Sequence, residues 1–277
     1  MTEDSKEAGQ QEHYIHDYDG DHNIQIIRKR TAETHAAFFL PYLRPGMSLL
    51  DCGCGAGTIT VGLAQAVASG EVIGLDIEET QIDLARSNAA KLGLSKVRFE
   101  VCSVYDLPYS DSRFDAVFCH ALLEHLKEPL AALKEMRRVS KVGGIVGVRS
   151  PDWAGALIAP ADEVFDKAFE IYFKYRRHNG GEPFIGRRLR GLLRAAGFVK
   201  TIGSASYETW ATAEATKSLL NVLIGEFAGP KIAKQAVEMG WADQSQMDKA
   251  SIAVKHWAEH PDAFFAHTWC EAIGWKE

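Results

Sequence analysis

The 277-residue chain is 46% hydrophobic and 25% charged with a formal net charge of −6, enough to bury one substantial core and carry an added cap. Its acidic balance argues against a nucleic-acid backbone as main partner, because that binding needs clustered cations that release counterions. No apolar run approaches the ~20 residues that span a bilayer, and the polar start MTEDSKEAGQQEH and five cysteines read as a cytoplasmic protein with reduced thiols.

Residues 1–20 read as a mobile tail. Its HYIHDYDGDH run is rich in His and Asp, which invites a metal, but no cysteine lies nearby and no metal is expected. Apolar residues Ile26, Ile27, Ala37, Phe38 and Leu40 suit a helix leading in over residues 22–43. Strands are then expected near 47–51, 71–76, 97–102, 114–119 and 144–149, separated by helices near 58–68, 79–92 and 128–140. That alternation predicts an α/β fold, a doubly wound and mostly parallel sheet covered on both faces.

Past the fifth strand the pattern changes. Residues 151–181 form an aromatic-rich insertion with Trp153, Phe165, Phe169, Tyr172, Phe173 and Tyr175. A helix near 186–196 ends at Gly197, before the strand FVKTIGSAS. Leu219, Leu220, Leu223 and Phe227 then follow helical spacing, with further helices at 230–239 and 243–258. The organisation expected is a tail or lid over 1–22, a core over 23–206, a helical cap over 207–262 and a last core strand within 263–277. Arg176, Arg177, His178, Arg187, Arg188, Arg190 and Arg194 read as a solvated helix face rather than an anion site.

The chemistry concentrates in residues 49–60, LLDCGCGAGTIT, where an apolar strand ends at Asp51 and breaks into Gly53, Gly55 and Gly57. The glycines remove Cβ atoms where the backbone turns sharply against a ligand, and the following helix points unpaired N–H groups at the same spot. About 20 residues on, EVIGLD closes on Asp76, placed to take both hydroxyls of a ribose. A dinucleotide site has the same carboxylate but wants G-x-G-x-x-G, and Thr60 stands where the third glycine of Gly55-x-Gly57 would fall. Asp51 would repel a pyrophosphate but can hold a cationic amino acid. Together these favour S-adenosylmethionine over NAD.

With DCGCGAG and Asp76 come VRFEVCSVYDLPY (97–109), SRFDAVFCHALLEHLKEP (112–129) and VGGIVGV (142–148). In that order they resemble the class I S-adenosylmethionine-dependent methyltransferases over roughly residues 25–205, in the branch containing ubiquinone and menaquinone C-methyltransferases. RTAETHAAFFLPYLRPGM and WCEAIGWK, near the two ends, are similar to a small-molecule subset of that branch. The resemblance implies a seven-stranded Rossmann-like sheet whose last strand lies near 264–273. It also implies a cofactor site drawn from Tyr14, Tyr18, Asp51, Gly53, Cys54, Gly55, Asp76, Ile77, Gln81, Ser103, Val104, Cys119 and His120, with the N-terminal tyrosines closing over the methionine end.

One departure stands out. The family carries a Gly-Asp pair where this chain has Cys102 and Ser103, and a hydroxyl is a weaker acceptor for the adenine amino group than a carboxylate. His120, directly after the fourth strand, is the candidate catalytic residue, whereas His125 within LEHL reads as structural. Cys52 and Cys54 could carry arsenic but sit inside the glycine loop, with thiols expected to pack inward. The partner expected is a small-molecule acceptor, with a homodimer as the protein–protein option. The alternatives are a noncatalytic S-adenosylmethionine-binding module and an NAD-dependent oxidoreductase.

Overall fold

The computed structural model describes residues 29–94 and 96–277. After a four-residue helix α1 (Ala32–His35) come β1 (Leu49–Cys52), α2 (Thr58–Ala66), β2 (Val72–Asp76), α3 (Glu79–Lys91), β3 (Val97–Val101), β4 (Phe114–His120), α4 (Pro129–Val139) and β5 (Ser140–Pro151). These five strands pair in parallel in the order β3-β2-β1-β4-β5. Every residue of β1 and β2 is buried, which is why both read as continuous apolar runs: helices cover both faces of a parallel sheet. Only Phe99 of β3 is buried, as befits the outer strand. Helix α4 opens with Pro129 in its first turn and turns Ala132, Leu133, Met136 and Val139 inward.

The chain continues through β6 (Leu157–Ala159), α5 (Glu163–His178), α6 (Leu189–Ala195), β7 (Val199–Trp210), α7 (Ala213–Ala228), α8 (Pro230–Glu238), α9 (Gln244–Glu259) and β8 (Phe264–Trp275). Strand β8 runs antiparallel between β5 and β7, so the expected seven strands are joined by a short eighth, β6, beside the start of β8. Asp162 caps α5 through the Val164 and Phe165 N–H groups, and Asp243 forms a capping box with Gln246 at the start of α9.

A second hydrophobic core lies beside the sheet. Phe165, Phe169 and Tyr172 of α5 meet Leu219, Leu223 and Phe227 of α7, Ile232 of α8, and Met247, Val254 and Trp257 of α9. Phe265 of β8 belongs to the same cluster, and the Phe169 and Phe227 ring centroids are 4.2 Å apart. The aromatic insertion and the later helices thus make one cap. Within the 207–262 segment the helices begin at Ala213, because β7 stays paired with β8 as far as Trp210 opposite Phe265.

The leading-in helix also differs from expectation. Among the described residues it is reduced to α1 and a 3-10 turn at Leu40–Tyr42. Phe39 lies flat against the sheet there, its ring 5.4 Å from that of Phe118 and closely covering Gly147. A chain that must lay Phe39 on the sheet and pass through Pro41 leaves the helical path.

Candidate active site

The glycine loop is built by backbone geometry. Gly53, Gly55 and Gly57 all have positive φ, at 71°, 51° and 73°, a region costly for any residue with a Cβ. At Gly57 a Cβ would sit 2.9 Å from both Ala85 Cβ and the Phe99 ring, whereas at Gly55 it would meet nothing within 4 Å. Gly57 therefore packs the loop down, and Gly55 presents a bare backbone to open space. The Gly55 N–H donates to Asp76 Oδ2 at 2.9 Å and the Glu78 N–H to Oδ1 at 3.0 Å. Each oxygen keeps a lone pair for a ribose hydroxyl.

Asp51 lies below the loop, 2% exposed, and accepts a 2.6 Å hydrogen bond from Thr60 Oγ1. Burial, with the neighbouring Asp76 adding to it, pushes its carboxyl up to about 7. A cation bound nearby would favour the ionised form. The cradle at Gly55, the carboxylate at Asp76 and the tunable acid at Asp51 fit the ribose and cationic amino-acid portions of S-adenosylmethionine.

The other expected cofactor residues are dispersed around this loop. Gln81 is buried in the first turn of α3, and Ile77 is half-buried after β2. The Tyr105 N–H donates to Ser103 Oγ at 3.2 Å. Val104 and Cys119 join the apolar core under the sheet, where Cys52 pairs with Cys119 in register. Cys54 Sγ lies 3.0 Å from where a Cβ on Gly74 would stand. All five cysteines are free, and burial raises each thiol. Tyr14, Tyr18 and the His- and Asp-rich run lie outside the described residues.

His120 ends β4 in a polar row crossing four strands. Its Nε2 accepts from Arg149 Nη1 at 2.9 Å, and Arg149 reaches Glu271 Oε1 at 3.3 Å. Glu271 also accepts from Ser204 and Ser206 at 2.7 and 2.6 Å. Because arginine only donates, His120 Nε2 is an acceptor and the proton sits on Nδ1. Burial and the charges of Arg30 and Arg149 hold this imidazole well below its ordinary pKa. It packs 4.8 Å from Trp269 and 5.2 Å from His35, centroid to centroid.

Beside this row a cavity of about 110 Å³ opens between the sheet edge and the cap. Ala121, Glu124 and His125 after β4 and Pro151 ending β5 form its sheet side. Trp153, Tyr172 and Arg176 come from the aromatic insertion, and Leu219, Val222, Leu223 and Glu226 from α7. Phe265, His267 and Trp269 line it from one face of β8. Glu124 accepts from Ser150 Oγ at 2.8 Å, and burial raises its carboxyl. His125 Nδ1 lies 2.9 Å from Arg176 Nη2.

The basic cluster is exposed as expected at Arg177, His178, Arg187, Arg188, Arg190 and Arg194, and only Arg176 departs from it. Arg187 grips Asp152 through Nε and Nη2 at 2.7 and 2.6 Å, and Arg176 is buried rather than on a solvated face, because it braces the turn carrying Glu124 and His125. Sequence reasoning missed Arg149, Glu208, His267, Trp269 and Glu271. The signal was present in FFAHTWCEA, where Phe265, His267, Trp269 and Glu271 recur at the strand period of two.

Comparison with known proteins identifies the class. A methyltransferase-domain family model matches residues 43–188. A Schizosaccharomyces pombe methyltransferase of uncharacterised role is 36% identical over 191 residues, covering 67% of this chain and 68% of its own length. A protein of Aspergillus luteorubrus described as a "Probable methyltransferase" is 30% identical over 285 residues, covering 97% and 99%. The YcgJ protein of Bacillus subtilis shares the fold with a TM-score of 0.59 at 19% identity, covering 87% of this chain and 97% of that one. The chain belongs to the methyltransferase family, with S-adenosylmethionine as its methyl donor, which decides between the two cofactor readings of the glycine loop.

Proposed function

We propose that the protein methylates a small, largely apolar acceptor seated in the cavity between the sheet edge and the cap, in the cytoplasm. The observation that carries this reading is adjacency. The cavity begins at Ala121 and Glu124, and a Cβ on Gly53 of the cofactor loop would stand 3.0 Å from Leu122 between them. S-adenosylmethionine, when bound, supplies a sulfonium methyl group. The chain's task is then to hold an acceptor atom against it and exclude water.

The loop residues orient the cofactor: Gly55 offers the bare backbone, Asp76 the ribose acceptor, and Asp51 a carboxylate that ionises beside a cation. His120, with its Nε2 held by Arg149, acts as a positioning residue that fixes the floor of the transfer region. Apolar and aromatic walls interleaved with polar side chains such as Glu124, Arg176 and Glu208 suit a small organic acceptor.

A screen of metabolite pools with methyl-labelled cofactor should find the acceptor. Val222→Trp, which fills the cavity from α7, should then abolish transfer while S-adenosylhomocysteine affinity stays within about twofold. Undiminished transfer in that variant would place the acceptor elsewhere.

A further inference from the structure

Among the polar groups lining the cavity, His267 stands apart. Glu124 is engaged by Ser150, Arg176 by His125, and Glu208 by Trp269 Nε1 at 3.2 Å. The side chain of Tyr172 is hydrogen-bonded to Glu226. His267 is only 8% exposed, yet its Nε2 is buried with no hydrogen-bond partner among the described residues. Buried polar atoms in native proteins are nearly always satisfied, by protein, water or ligand.

The ring is held in place rather than free to turn away. Its centroid lies 4.1 Å from that of Trp153 and 5.1 Å from that of Trp269, with Phe265 stacked at 6.0 Å. Each of these neighbours also lines the cavity. Burial, reinforced by Arg30 and Arg149 and opposed by Glu208 and Asp152, lowers its pKa to about 3. A neutral imidazole suits an uncharged hydroxyl better than a carboxylate or phosphate, and the cations in the lining, Arg30 and Arg176, act on the carboxylates Glu208 and Glu124 beside them.

We propose that His267 is the specificity-determining anchor of the acceptor pocket, hydrogen-bonding an uncharged hydroxyl on a flat apolar molecule that packs among Trp153, Phe265 and Trp269. This rests on the reading of the cavity as the acceptor site. The anchor lies on β8, on an element separate from the cofactor loop, so it orients the acceptor without touching the methyl donor.

The test uses the full chain saturated with S-adenosylhomocysteine and two probes of matched shape, p-cresol and p-xylene, titrated by calorimetry. Wild-type protein should bind p-cresol about tenfold more tightly than p-xylene, and His267→Phe, which keeps a stacked ring but removes both nitrogens, should bring that ratio to about one. In wild-type protein with nitrogen-labelled histidine, p-cresol should shift a His267 ring resonance and p-xylene should not, a readout that stands even if the variant fails to fold.

Equal binding of the two probes by wild-type protein, or a preference for p-cresol that survives in folded His267→Phe, overturns the anchor. Val222→Trp separates this failure from failure of the cavity reading: it should abolish binding of both probes. If both still bind at full affinity, the cavity itself is wrongly assigned.

Discussion

The cofactor loop and the cap cavity are two halves of one proposed site made by opposite means. The loop is backbone: three glycines at positive φ and carboxylates at or near the ends of adjacent strands, Asp51 and Asp76, all within 26 consecutive residues. The cavity is side chains, contributed by segments from Arg30 to Trp269. A backbone-built site is fixed by local geometry and tolerates little change. A side-chain-built one can be re-specified residue by residue, so in this proposal acceptor choice follows the cavity side chains, those of β8 included, and donor choice follows the loop.

The largest expected effect tests whether the halves are energetically separable. Phe227→Ala removes the ring at the centre of the cap cluster, 4.2 Å from Phe169 and 5.0 Å from Tyr172, and should cost about 3–5 kcal/mol. In hydrogen exchange the loss should concentrate in α5 and α7–α9 while S-adenosylhomocysteine still binds. Uniform loss of protection across the sheet would show one cooperative unit instead.

Gly57→Ala strikes the other half. With φ at 73° and a 2.9 Å clash against Ala85 and Phe99, it should cost about 2–4 kcal/mol and weaken cofactor binding. Gly55→Ala, facing open space, should spare more stability than Gly57→Ala but lose cofactor affinity. Denaturation midpoints and calorimetry on the pair separate packing from ligand approach.

Asp76→Ala should weaken S-adenosylmethionine by about tenfold or more, since charge-assisted ribose bonds at ~1.5 kcal/mol each are lost. Calorimetry on the folded variant checks it, and unchanged affinity would remove the ribose assignment.

The smallest effect is a pH dependence centred on Asp51. Burial pushes its carboxyl up to about 7 from the ordinary aspartate value of about 4, so between those pH values the native state holds a proton that the unfolded chain releases. This contribution to stability is therefore greatest below about pH 4 and declines as pH rises to about 7. Cofactor affinity should move oppositely, strengthening by less than about tenfold from pH 6 to pH 8 as the carboxylate forms beside the cation. Asp51→Asn should flatten both profiles in thermal melts and calorimetry, and a persisting slope would assign the titration to another group.

The same contrast explains what could be read before the fold was seen. Strands β1 to β5, helices α2 to α4 and the loop with Asp51 and Asp76 were legible because burial on both sheet faces and positive φ leave local marks: apolar runs and glycines. Helices α7 to α9 were legible as periodicity, whereas α5 lies in a segment that reads only as aromatic-rich. Which side chains meet in the cavity was not legible, because His267, Glu208, Trp153 and Tyr172 become neighbours only when β8 seats against the cap. The row His120, Arg149, Glu271, Ser206 likewise depends on register across four strands, which no single segment encodes. The Phe39 region misled for the converse reason, since apolar spacing suited a helix while packing on Gly147 required a bend.

Strand β8 holds Phe265 in the cap core and Ile273 in the sheet core, and it closes the gap between β5 and β7. Every other described element precedes it in the chain. During translation, therefore, β5 and β7 stand with open edges and the cap lacks its sheet-side wall until this dozen residues clears the ribosome. Synthesis thus has an interval in which these two edges are open to pairing with another chain.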